Sequence, residues 1–535
     1  MRKKLLILSS ILVLLGSLLL INRLQIKNFT LFNQVNSKKA EEIKANLSEV
    51  EELAFTALLC NEIRVPFDDR TNTFFVPLDM EDSQWEKMTF VSGQPEYQIL
   101  FQEDITDTNK QEVIASNKKV ELIVFDGQSW AKYYVTFTGI PVIDLATNEG
   151  FYAAEEITGT VSFFDTDFSL HGIEQSGYNG HIRGNTSRMF PKKGYKLNLT
   201  YVNEYGLEDG NKISVFGMRK DDDWILHALY NDDTKIRDRL SMEVWDRLGA
   251  NAVSEDSYYG PKMTYVEVFA DNQYCGVYGL MEPVDGKQLN LAEEDYSYKR
   301  KNPGSVRYKR EIFATVENVY AEVEGFEIKD GIMEKDAWLP MADLASVLTS
   351  SSWKEKLQKS QMLNEDSAIR MWILIQMITG HDHTAKNMYY VAKYNKDLKY
   401  DYQFYFAPWD MDLTWGNVSV GEINPYYTAF EMDTLDNRVY WDIADMLIDE
   451  NYHQAKERAQ SIYNELRKTV LTDKDVDEMI LQFDHELRDS GAFARDKARW
   501  PEGIHANDSS ILRRYAKERL NYLDLAINDF DYFEE

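Results

Sequence analysis

Residues 380–391 read GHDHTAKNMYYV, in which Asp382 and Asn387 have a D-x-x-x-x-N spacing directly before a run of strand-forming residues. A second such run, YDYQFYFAPW, occupies residues 400–409 and is separated from the first by a short polar turn. Two strand-forming runs joined by a short turn predict a β-hairpin. Because a hairpin returns the chain to where it started, we expect the residues that follow it to lie beside Asp382 and Asn387.

The residues that follow the hairpin include Asp410 and Asp412, in the sequence PWDMDLTWG. Hard divalent cations prefer oxygen ligands, and Mg²⁺ is usually held by one or two carboxylates together with substrate phosphates. In the protein-kinase template an Asp is the base, an Asn five residues later binds metal, and an Asp after the next hairpin binds metal too. Asp382, Asn387 and Asp410 follow that order, although the D-F-G motif is absent. The alternative, that these residues only form turns before strands, stays open on the two clusters alone.

A basic segment lies upstream, in the sequence IRGNTSRMFPKKGYKLNL of residues 182–199. Its basic side chains are Arg183, Arg188, Lys192, Lys193 and Lys196. In an acidic chain this concentration favours phosphate contact, with Lys196 on a strand as the lysine for nucleotide phosphates and the loop as a lid. The alternative is a solvated edge strand whose lysines discourage aggregation.

Two acidic residues are further candidates for the same site. Glu243 lies on the predicted helix DDTKIRDRLSMEVWDRLG, for which Asp232 or Asp233 is the expected N-cap, and it could pair with a loop lysine. Glu282 ends the strand YGLM, where a strand-to-linker segment could meet an adenosine. A surface glutamate and an ordinary loop acid are equally available interpretations of the two.

The composition of the 535-residue chain limits its class. It is that of a soluble globular protein, with 44% hydrophobic and 28% charged residues, and its length predicts two or three structural units. The formal charge of -30 argues against a nucleic-acid partner, because contact with a phosphate backbone needs a basic stripe. Two cysteines, Cys60 and Cys275, allow one disulfide but neither a disulfide framework nor a Cys-rich zinc site.

The N-terminus has the pattern of a membrane anchor. Met1–Lys4 is basic, and Leu5–Asn22 is an uncharged, mostly apolar run that is long enough for a tilted span. Positive charge before the run predicts that the chain after it lies outside the cytoplasm. No A-x-A-like site and no cysteine for lipidation follow the run, which favours an uncleaved anchor in residues 1–22 over a removed signal peptide.

The rest of the sequence predicts an α+β fold. Residues 23–60 are typical of a stalk that is helical in its second half, and residues 61–130 are typical of a small β-rich unit. Residues 131–535 carry the motifs above and a predicted hairpin in MTYVEVFADNQYCGVYGLM. Beyond Asn424 the pattern is mostly helical, and HELRDSGAFARDKARW is one of the clearest helices.

The order of these motifs resembles the CotH family, spore-coat protein H-type proteins with an atypical protein-kinase-like fold. The resemblance covers residues 130–530 and rests on RGNTSRMFPKKGYKLNL, FGMRKDDDWILHALYNDDTKIRDRL, YCGVYGLMEPVD and the two acidic clusters. It implies a metal-dependent transfer of phosphate from ATP to protein Ser or Thr, with Mg²⁺ or Mn²⁺ as the metal. In this resemblance Asp382 would be the catalytic-loop acid and Asp410 the metal-binding acid. The remaining implied roles are metal ligation by Asn387 and Asp412, and phosphate contact by Lys196, with Lys192 and Lys193 close by.

The sequence therefore predicts a membrane-anchored, extracytoplasmic CotH-type kinase that phosphorylates Ser or Thr of envelope or coat proteins. The alternative is a non-catalytic coat or envelope scaffold, or an adhesin, that reuses the fold. A third interpretation is a glycan-binding or glycan-cleaving surface protein, because exported acidic chains rich in Trp and Tyr often meet sugars. No G-x-G-x-x-G loop is present, so a nucleotide cover must be built differently from that of ordinary kinases.

Overall fold

The chain folds into two β-rich parts followed by a helical part, in a computed structural model that describes residues 36–79, 88–103, 109–152, 154–167, 173–184, 186–249, 260–302, 309–419, 428–430 and 435–533. The strands are β1 (Ser48–Glu49), β2 (Leu58–Cys60), β3 (Ile63–Arg64), β4 (Phe67–Asp68), β5 (Thr73–Pro77), β6 (Phe90–Ser92), β7 (Gln98–Phe101), β8 (Val120–Phe125), β9 (Ser129–Thr138), β10 (Val142–Thr147), β11 (Glu156–Phe164), β12 (Ile173–Arg183), β13 (Gly194–Val202), β14 (Glu208–Gly210), β15 (Ile213–Ser214), β16 (Lys220–Asp221), β17 (Asp223–His227), β18 (Met263–Ala270), β19 (Gln273–Met281), β20 (Tyr296–Arg300), β21 (Phe326–Asp330), β22 (Met388–Tyr394), β23 (Tyr402–Pro408), β24 (Asn417–Ser419) and β25 (Thr428–Phe430). The helices are α1 (Ser37–Asn46), α2 (Lys110–Ala115), α3 (Arg237–Arg247), α4 (Arg310–Ala314), α5 (Leu339–Leu348), α6 (Trp353–Ser360), α7 (Glu365–Ile378), α8 (Asp442–Asp449), α9 (Ala455–Thr469), α10 (Asp473–Asp489), α11 (Ala492–Arg499) and α12 (Ser510–Ala526).

The first β-rich part is built on a six-stranded sheet with the order β4-β5-β9-β8-β7, in which β1 lies parallel to β9. Its core includes Phe75, whose ring centroid lies 4.7 Å from that of Phe269 and 5.5 Å from that of Tyr274, both in the next part. The two β-rich parts therefore bury a common apolar surface. Strand β9 continues to Thr138, past the domain boundary predicted at residue 130.

The helix predicted in the second half of residues 23–60 is shorter than its sequence pattern suggests. Helix α1 ends at Asn46, and the strand β1 follows almost at once. Ala40 and Ile43 on α1 pack with Trp130 of the first sheet, so this segment lies against the sheet instead of standing free as a stalk. Pairing of β1 with β9 overrides the local helical preference, because it satisfies the same backbone groups in a β-ladder.

The second β-rich part is a closed barrel. Its sheet has the order β12-β11-β10-β18-β19-β17-β13-β14, and β12 also pairs with β13, which joins the first strand of this series to the seventh. Closure leaves those seven strands without a free edge. Lys196 lies on β13, which pairs with β12 on one side and β17 on the other. The interpretation of the basic segment as a solvated edge strand is therefore wrong.

The interior of the barrel is filled by alternate side chains, as the pattern of β13 predicts. Tyr195 and Leu197 are fully buried there, together with Trp224 and Tyr278 from neighbouring strands. Lys196 lies between the two buried residues of β13 and therefore points away from the barrel core. The predicted hairpin of β18 and β19 is also confirmed, with its turn at Asp271 and Asn272.

Helix α3 begins at Arg237, later than the N-cap expected at Asp232 or Asp233. Lys235 has φ +64°, a left-handed conformation that cannot belong to a continuous helix, so the helix starts beyond it. Asp232 still accepts a hydrogen bond from the Arg237 backbone N–H at 2.7 Å. It therefore satisfies a backbone donor of the first helical turn, although it lies outside the helix. Gly249 follows the end of the helix with φ +88°, as predicted.

The helical part is organised around α7, which is buried along most of its length. A four-stranded sheet of order β21-β20-β22-β23 packs beside it, and its β22–β23 pair is the predicted hairpin. The sequence HELRDSGAFARDKARW lies in two helices, α10 and α11, because Gly491 between them has φ +75°. The arrangement confirms an α+β fold with a β-rich N-terminal unit and a helical C-terminal part.

Two further expectations concern the cysteines and the membrane. Cys60 and Cys275 are free and lie in different cores, so they do not form the disulfide that the sequence allows. Within the described ranges, no helix is both long enough and apolar enough to cross a membrane. The predicted anchor in residues 1–22 lies outside the described residues.

Candidate functional site

The hairpin of β22 and β23 brings two of the predicted site residues together. Its register pairs Met388 with Pro408, so Asn387 and Asp410 flank the same end. The Trp409 backbone N–H donates to the Asn387 carbonyl at 3.0 Å, and the Asn387 side-chain amide donates to the Asp410 carbonyl at 3.3 Å. Asn387 and Asp410 both have φ +59°, a left-handed conformation that Asn and Asp tolerate better than most residues. Their backbone is thus held in an uncommon shape by direct hydrogen bonds across the hairpin.

Asp382 lies in a short 3-10 helix, His381–Thr384, between α7 and the hairpin. Its Oδ2 atom is 2.8 Å from Lys386 Nζ, and about a third of its side chain is exposed, at 29%. His383 anchors this turn, because its ring is fully buried and its Nε2 lies 3.2 Å from the Trp409 carbonyl oxygen. Burial lowers the pKa of His383 to about 4, so the ring is neutral at pH 7. His383 therefore anchors this turn, and the Asp382 carboxylate lies at its partly exposed side.

A group of carboxylates surrounds Asp410. Burial, followed by the neighbouring charge of Asp410, raises the pKa of Asp412 to about 7. Burial and the charges of Asp412 and Asp410 raise the pKa of Asp238, in the first turn of α3, well above its usual range. Asp382 also contributes to the repulsion at Asp412. Carboxylates that oppose one another's ionisation in this way form an environment in which a cation is favoured.

Polar contacts from the barrel and α3 hold this acidic turn in place. Asn231 donates its side-chain amide to Asp412 Oδ2 at 2.5 Å, and Asn417 donates to the Asp412 carbonyl at 3.0 Å. Asp238 accepts the Met411 backbone N–H at 3.1 Å. The acidic turn is therefore fastened to α3 as well as to the hairpin.

His227, at the end of β17, is the barrel residue that reaches this carboxylate group. Its Nε2 atom lies 3.5 Å from Asp238 Oδ2. Burial and the neighbouring Arg183 lower the pKa of His227 to about 4, so it is neutral at pH 7. It therefore contributes a polar ring and no charge to the wall of the site.

Two cations lie beside the acidic group and share one aromatic ring. The Arg183 guanidinium carbon is 4.9 Å from the Trp409 ring centroid, and Lys299 Nζ is 5.0 Å from it. Lys299 belongs to β20 and also lies over the ring of its cross-strand neighbour Tyr389, at 5.8 Å. Burial and the charge of Arg183 lower the pKa of Lys299 to about 8, and the charge of Asp410 acts in the opposite direction. Positive charge is therefore concentrated next to the residue predicted to bind metal.

Four other predicted residues make contacts elsewhere. Lys196 Nζ is 3.5 Å from Asp223 Oδ1, and Lys193 donates to the Arg188 carbonyl oxygen. Glu243 pairs with Arg247 at 3.1 Å, one helical turn away, rather than with a loop lysine. Glu282 is buried and accepts the backbone N–H groups of Arg219 at 2.9 Å and Lys262 at 3.1 Å. Among the described residues, no hydrogen bond or ion pair links these four side chains to the acidic group.

Lys192, at the end of the basic loop, is almost completely buried. Its Nζ atom lies 2.7 Å from Asp496 Oδ1 of α11, and it also donates to the Val277 carbonyl oxygen of β19. Lys235 Nζ lies 3.1 Å from the other oxygen of the same carboxylate. Asp496 thus joins the basic loop, the lead-in to α3 and the C-terminal helices in one buried ion-pair network.

The sequence analysis did not identify Asn231, His227, Asp238 and Lys299 as residues of this site. Asp238 stands in the helix DDTKIRDRL, where an acid in the first turn is usually explained by the helix dipole. Lys299 stands in the run YSYKR, where a single lysine among tyrosines carries no motif. The signal that would have found them is three-dimensional, since each lies on a different element of the fold.

The comparisons with known proteins concern the part of the chain that carries this geometry. The model of a family described as CotH kinase protein matches residues 181–523, which is more than half of the chain. The match begins in β12, two residues before Arg183, and ends in α12. It therefore includes every residue of the acidic group and both cations beside Trp409. A search of curated proteins finds no match for this chain.

Proposed function

Since the chain belongs to the CotH kinase family, we propose that it is a protein kinase that transfers phosphate from ATP to Ser or Thr hydroxyls with the help of Mg²⁺ or Mn²⁺. The observation that carries this proposal is the grouping of Asp382, Asn387, Asp410 and Asp412 at one end of the β22–β23 hairpin, with Arg183 beside them. Phosphoryl transfer requires an acid–base group, metal ligands and positive charge on the phosphates, and all three kinds of residue meet here.

The residues at the site fit a divalent cation. Burial, followed by repulsion between the carboxylates, raises the pKa values of Asp412 and Asp238, and a bound cation would relieve both effects. In the described part of the chain, no three His, Cys, Asp or Glu side chains converge closely enough to hold a metal by themselves. This is the usual arrangement for Mg²⁺, which takes one or two carboxylates and completes its shell with water and phosphate oxygens. Asp410 and Asp412, with the Asn387 amide oxygen, would hold the cation, which would neutralise phosphate charge when bound.

Asp382 is proposed to accept the proton of the acceptor hydroxyl. Its side chain is 29% exposed, and Lys386 occupies its Oδ2 atom. Its Oδ1 atom receives no hydrogen bond from any other described residue, which leaves it for the acceptor. The ion pair with Lys386 also holds the carboxylate in one orientation, which a base requires.

Arg183 is the best placed of the predicted basic residues for phosphate contact. It lies at the end of β12, and its guanidinium lies over the ring of Trp409. Trp409 immediately precedes Asp410 in the chain. Lys196 and Lys193 are directed to Asp223 and to the loop backbone, so we assign them to shaping the basic segment. The backbone contacts of Glu282 and the ion pair of Glu243 give those two residues a structural role in the same proposal.

The proposal is tested by phosphoryl transfer from labelled ATP. The full chain, purified in a mild detergent, is incubated with Mn²⁺ or Mg²⁺ and a generic basic protein, alongside Asp410→Asn. We expect the wild type to label the protein and the variant to transfer at least about 10²-fold less label. The variant would lose a ligand of the metal that stabilises the charge of the transition state. If calorimetry shows no ATP binding to the folded wild type in the presence of metal, the kinase proposal is wrong. A non-catalytic scaffold of the same fold is then the better interpretation.

Metal binding at the site is expected to depend on pH. A metal displaces the proton from Asp412, whose pKa is about 7, so the affinity rises while Asp412 ionises and then levels off. Between pH 6 and pH 8 the apparent affinity for Mn²⁺ should rise by about tenfold, measured by calorimetry. Without metal, the free energy of unfolding changes with pH in the opposite direction to the metal affinity. Asp412 ionises at a lower pH in the unfolded chain than in the folded protein, so stability falls as the pH rises from about 4 to about 7.

Two variants check this pH dependence. Asp412→Asn should bind Mn²⁺ more weakly and should lose most of the change between pH 6 and pH 8. Asp397→Asn, which alters an exposed acid in the turn of the β22–β23 hairpin, should behave as the wild type. An affinity that does not change with pH in the wild type would contradict metal binding through Asp412.

We also propose that the kinase acts outside the cytoplasm while held to the membrane by residues 1–22. The support is the basic and apolar pattern of the sequence alone, because those residues lie outside the described part of the structure. Its substrates would then be Ser- or Thr-containing envelope or coat proteins. Membrane fractionation with protease protection tests this placement: protection of residues 36–535 in intact cells and release by washing would each contradict it.

A further inference from the structure

We propose that Arg183 and Lys299 form a clamp for the phosphate chain of the nucleotide, with Trp409 as the platform that positions both cations. The inference rests on the proposed function for the identity of the ligand, and it assigns a phosphate-binding role to Lys299. It also replaces Lys196 as the lysine that contacts phosphate.

The first support is that these two cations lack anionic partners. Among the residues that the structure describes, Arg183 and Lys299 have no carboxylate within ion-pair distance and donate no hydrogen bond to any acceptor. The other buried cations of the region are paired: Lys192 and Lys235 with Asp496, and Arg237 with Asp232. The formal charge of the chain is -30, so carboxylates are abundant. Two half-buried cations without a carboxylate in such a chain indicate that an external anion completes them.

The second support is the way the clamp is built. Arg183 pairs with Gly194 at the end of the β12–β13 ladder, and a Cβ atom at Gly194 would lie 3.6 Å from the Arg183 Cγ. The stem of Arg183 therefore lies at van der Waals distance from the position of Gly194 on β13. Lys299 is held from the other side, in β20, between Tyr389 and Glu327 in the register of the four-stranded sheet. The two cations thus come from separate sheets and converge on one indole ring.

The third support is the position of the clamp relative to the metal-binding acid. Trp409 precedes Asp410 directly, and the charge of Asp410 acts on Lys299. A phosphate chain that contacted the clamp would therefore lie next to the carboxylates proposed to bind the cation. Lysine and arginine are suited to this task, since each donates several hydrogen bonds to phosphate oxygens. Because one cation belongs to the barrel and the other to the helical part, a bound phosphate chain would also bridge the two parts.

The clamp is tested with inorganic tripolyphosphate, which offers the phosphate chain without the nucleoside. Binding to the full chain is measured by calorimetry in EDTA and again with Mg²⁺, for the wild type, Lys299→Met, Lys299→Arg and Arg183→Gln. We expect Lys299→Met and Arg183→Gln each to weaken binding by about tenfold or more, and Lys299→Arg to weaken it less. The matched control is Lys354→Met. Lys354 lies on α6, far along the chain from the clamp, and the substitution removes one positive charge from its exposed ion pair with Glu450.

The outcomes separate the clamp from the kinase proposal. If Lys299→Met and Arg183→Gln both bind tripolyphosphate as tightly as the wild type, the clamp is wrong even where the wild type phosphorylates protein. If binding depends on both residues but the wild type transfers no phosphate, the clamp stands and the kinase proposal falls. Thermal melting of each variant identifies any that fails to fold, and the arginine variant then decides the case for Lys299. If Lys354→Met lost as much binding as Lys299→Met, the loss would reflect only the change in net charge of the protein, and the clamp would be overturned.

Discussion

Replacing Asp382 by asparagine is expected to slow phosphoryl transfer by about 10²–10⁴-fold while the protein stays folded. Asparagine keeps the size of the side chain but cannot accept a proton from the acceptor hydroxyl. The substitution breaks an ion pair with Lys386 in which each side chain is about one-third exposed, and such pairs contribute little to stability. The rate is measured with labelled ATP at saturating Mn²⁺, and the KM for ATP should change little, because Asp382 contacts the acceptor in this proposal.

Two comparisons make the Asp382 result specific. Lys386→Met should lower the rate less than Asp382→Asn, because it removes the ion pair that orients the carboxylate but leaves the carboxylate itself in place. Asp401→Asn, in the exposed turn of the same hairpin, should leave the rate unchanged. Full activity in Asp382→Asn would remove this residue from the mechanism.

Replacing Asp496 by alanine is expected to destabilise the folded protein by about 3–5 kcal/mol. The carboxylate is buried between Lys192 and Lys235, and it also accepts the Val277 backbone N–H at 2.8 Å. Its removal leaves two ammonium groups in the interior with no counter-ion. Because Lys192 ends the basic loop that Arg183 begins, the variant should also weaken nucleotide binding. Denaturant unfolding followed by circular dichroism measures the change in the free energy of unfolding.

The pH dependence of this network has a definite sign. Although burial opposes it, the charges of Lys192 and Lys235 hold the pKa of Asp496 below its usual range. The contribution of Asp496 to stability is therefore complete above about pH 4 and is lost as the pH falls towards its folded-state pKa. Asp496→Ala should be less sensitive to acid over that range than the wild type. Asp489→Asn, an exposed acid at the end of α10, is the control and should unfold as the wild type does; equal stability of Asp496→Ala would contradict the role assigned to the network.

Local sequence features predicted the hairpin and the order of Asp382, Asn387 and Asp410, because strand pairs and turns are determined by neighbouring residues. The same reasoning left open whether Glu243 pairs with a loop lysine or is an ordinary surface glutamate, and in the structure it pairs with an arginine four residues along the same helix. The closure of the barrel was not predictable, since it depends on pairing β12 with β13 and β10 with β18 at the same time. Lys299 was missed for a related reason: only the three-dimensional convergence of two sheets on Trp409 distinguishes it from any other strand lysine.

Arg495 of α11 gives the fold an order of assembly. Its guanidinium bonds bidentately to the fully buried Glu267, at 2.7 and 2.8 Å, and to Thr138 Oγ1 at 2.8 Å, and it also donates to the Asn117 side chain. Asn117 and Arg495 are 378 residues apart in the chain. During synthesis on the ribosome, the arginine that pairs with Glu267 is added only within the last tenth of the 535-residue sequence. The barrel therefore cannot complete its contacts until α11 has been synthesised. A chain truncated before α11 should be retained by chaperones or degraded instead of accumulating as a folded fragment.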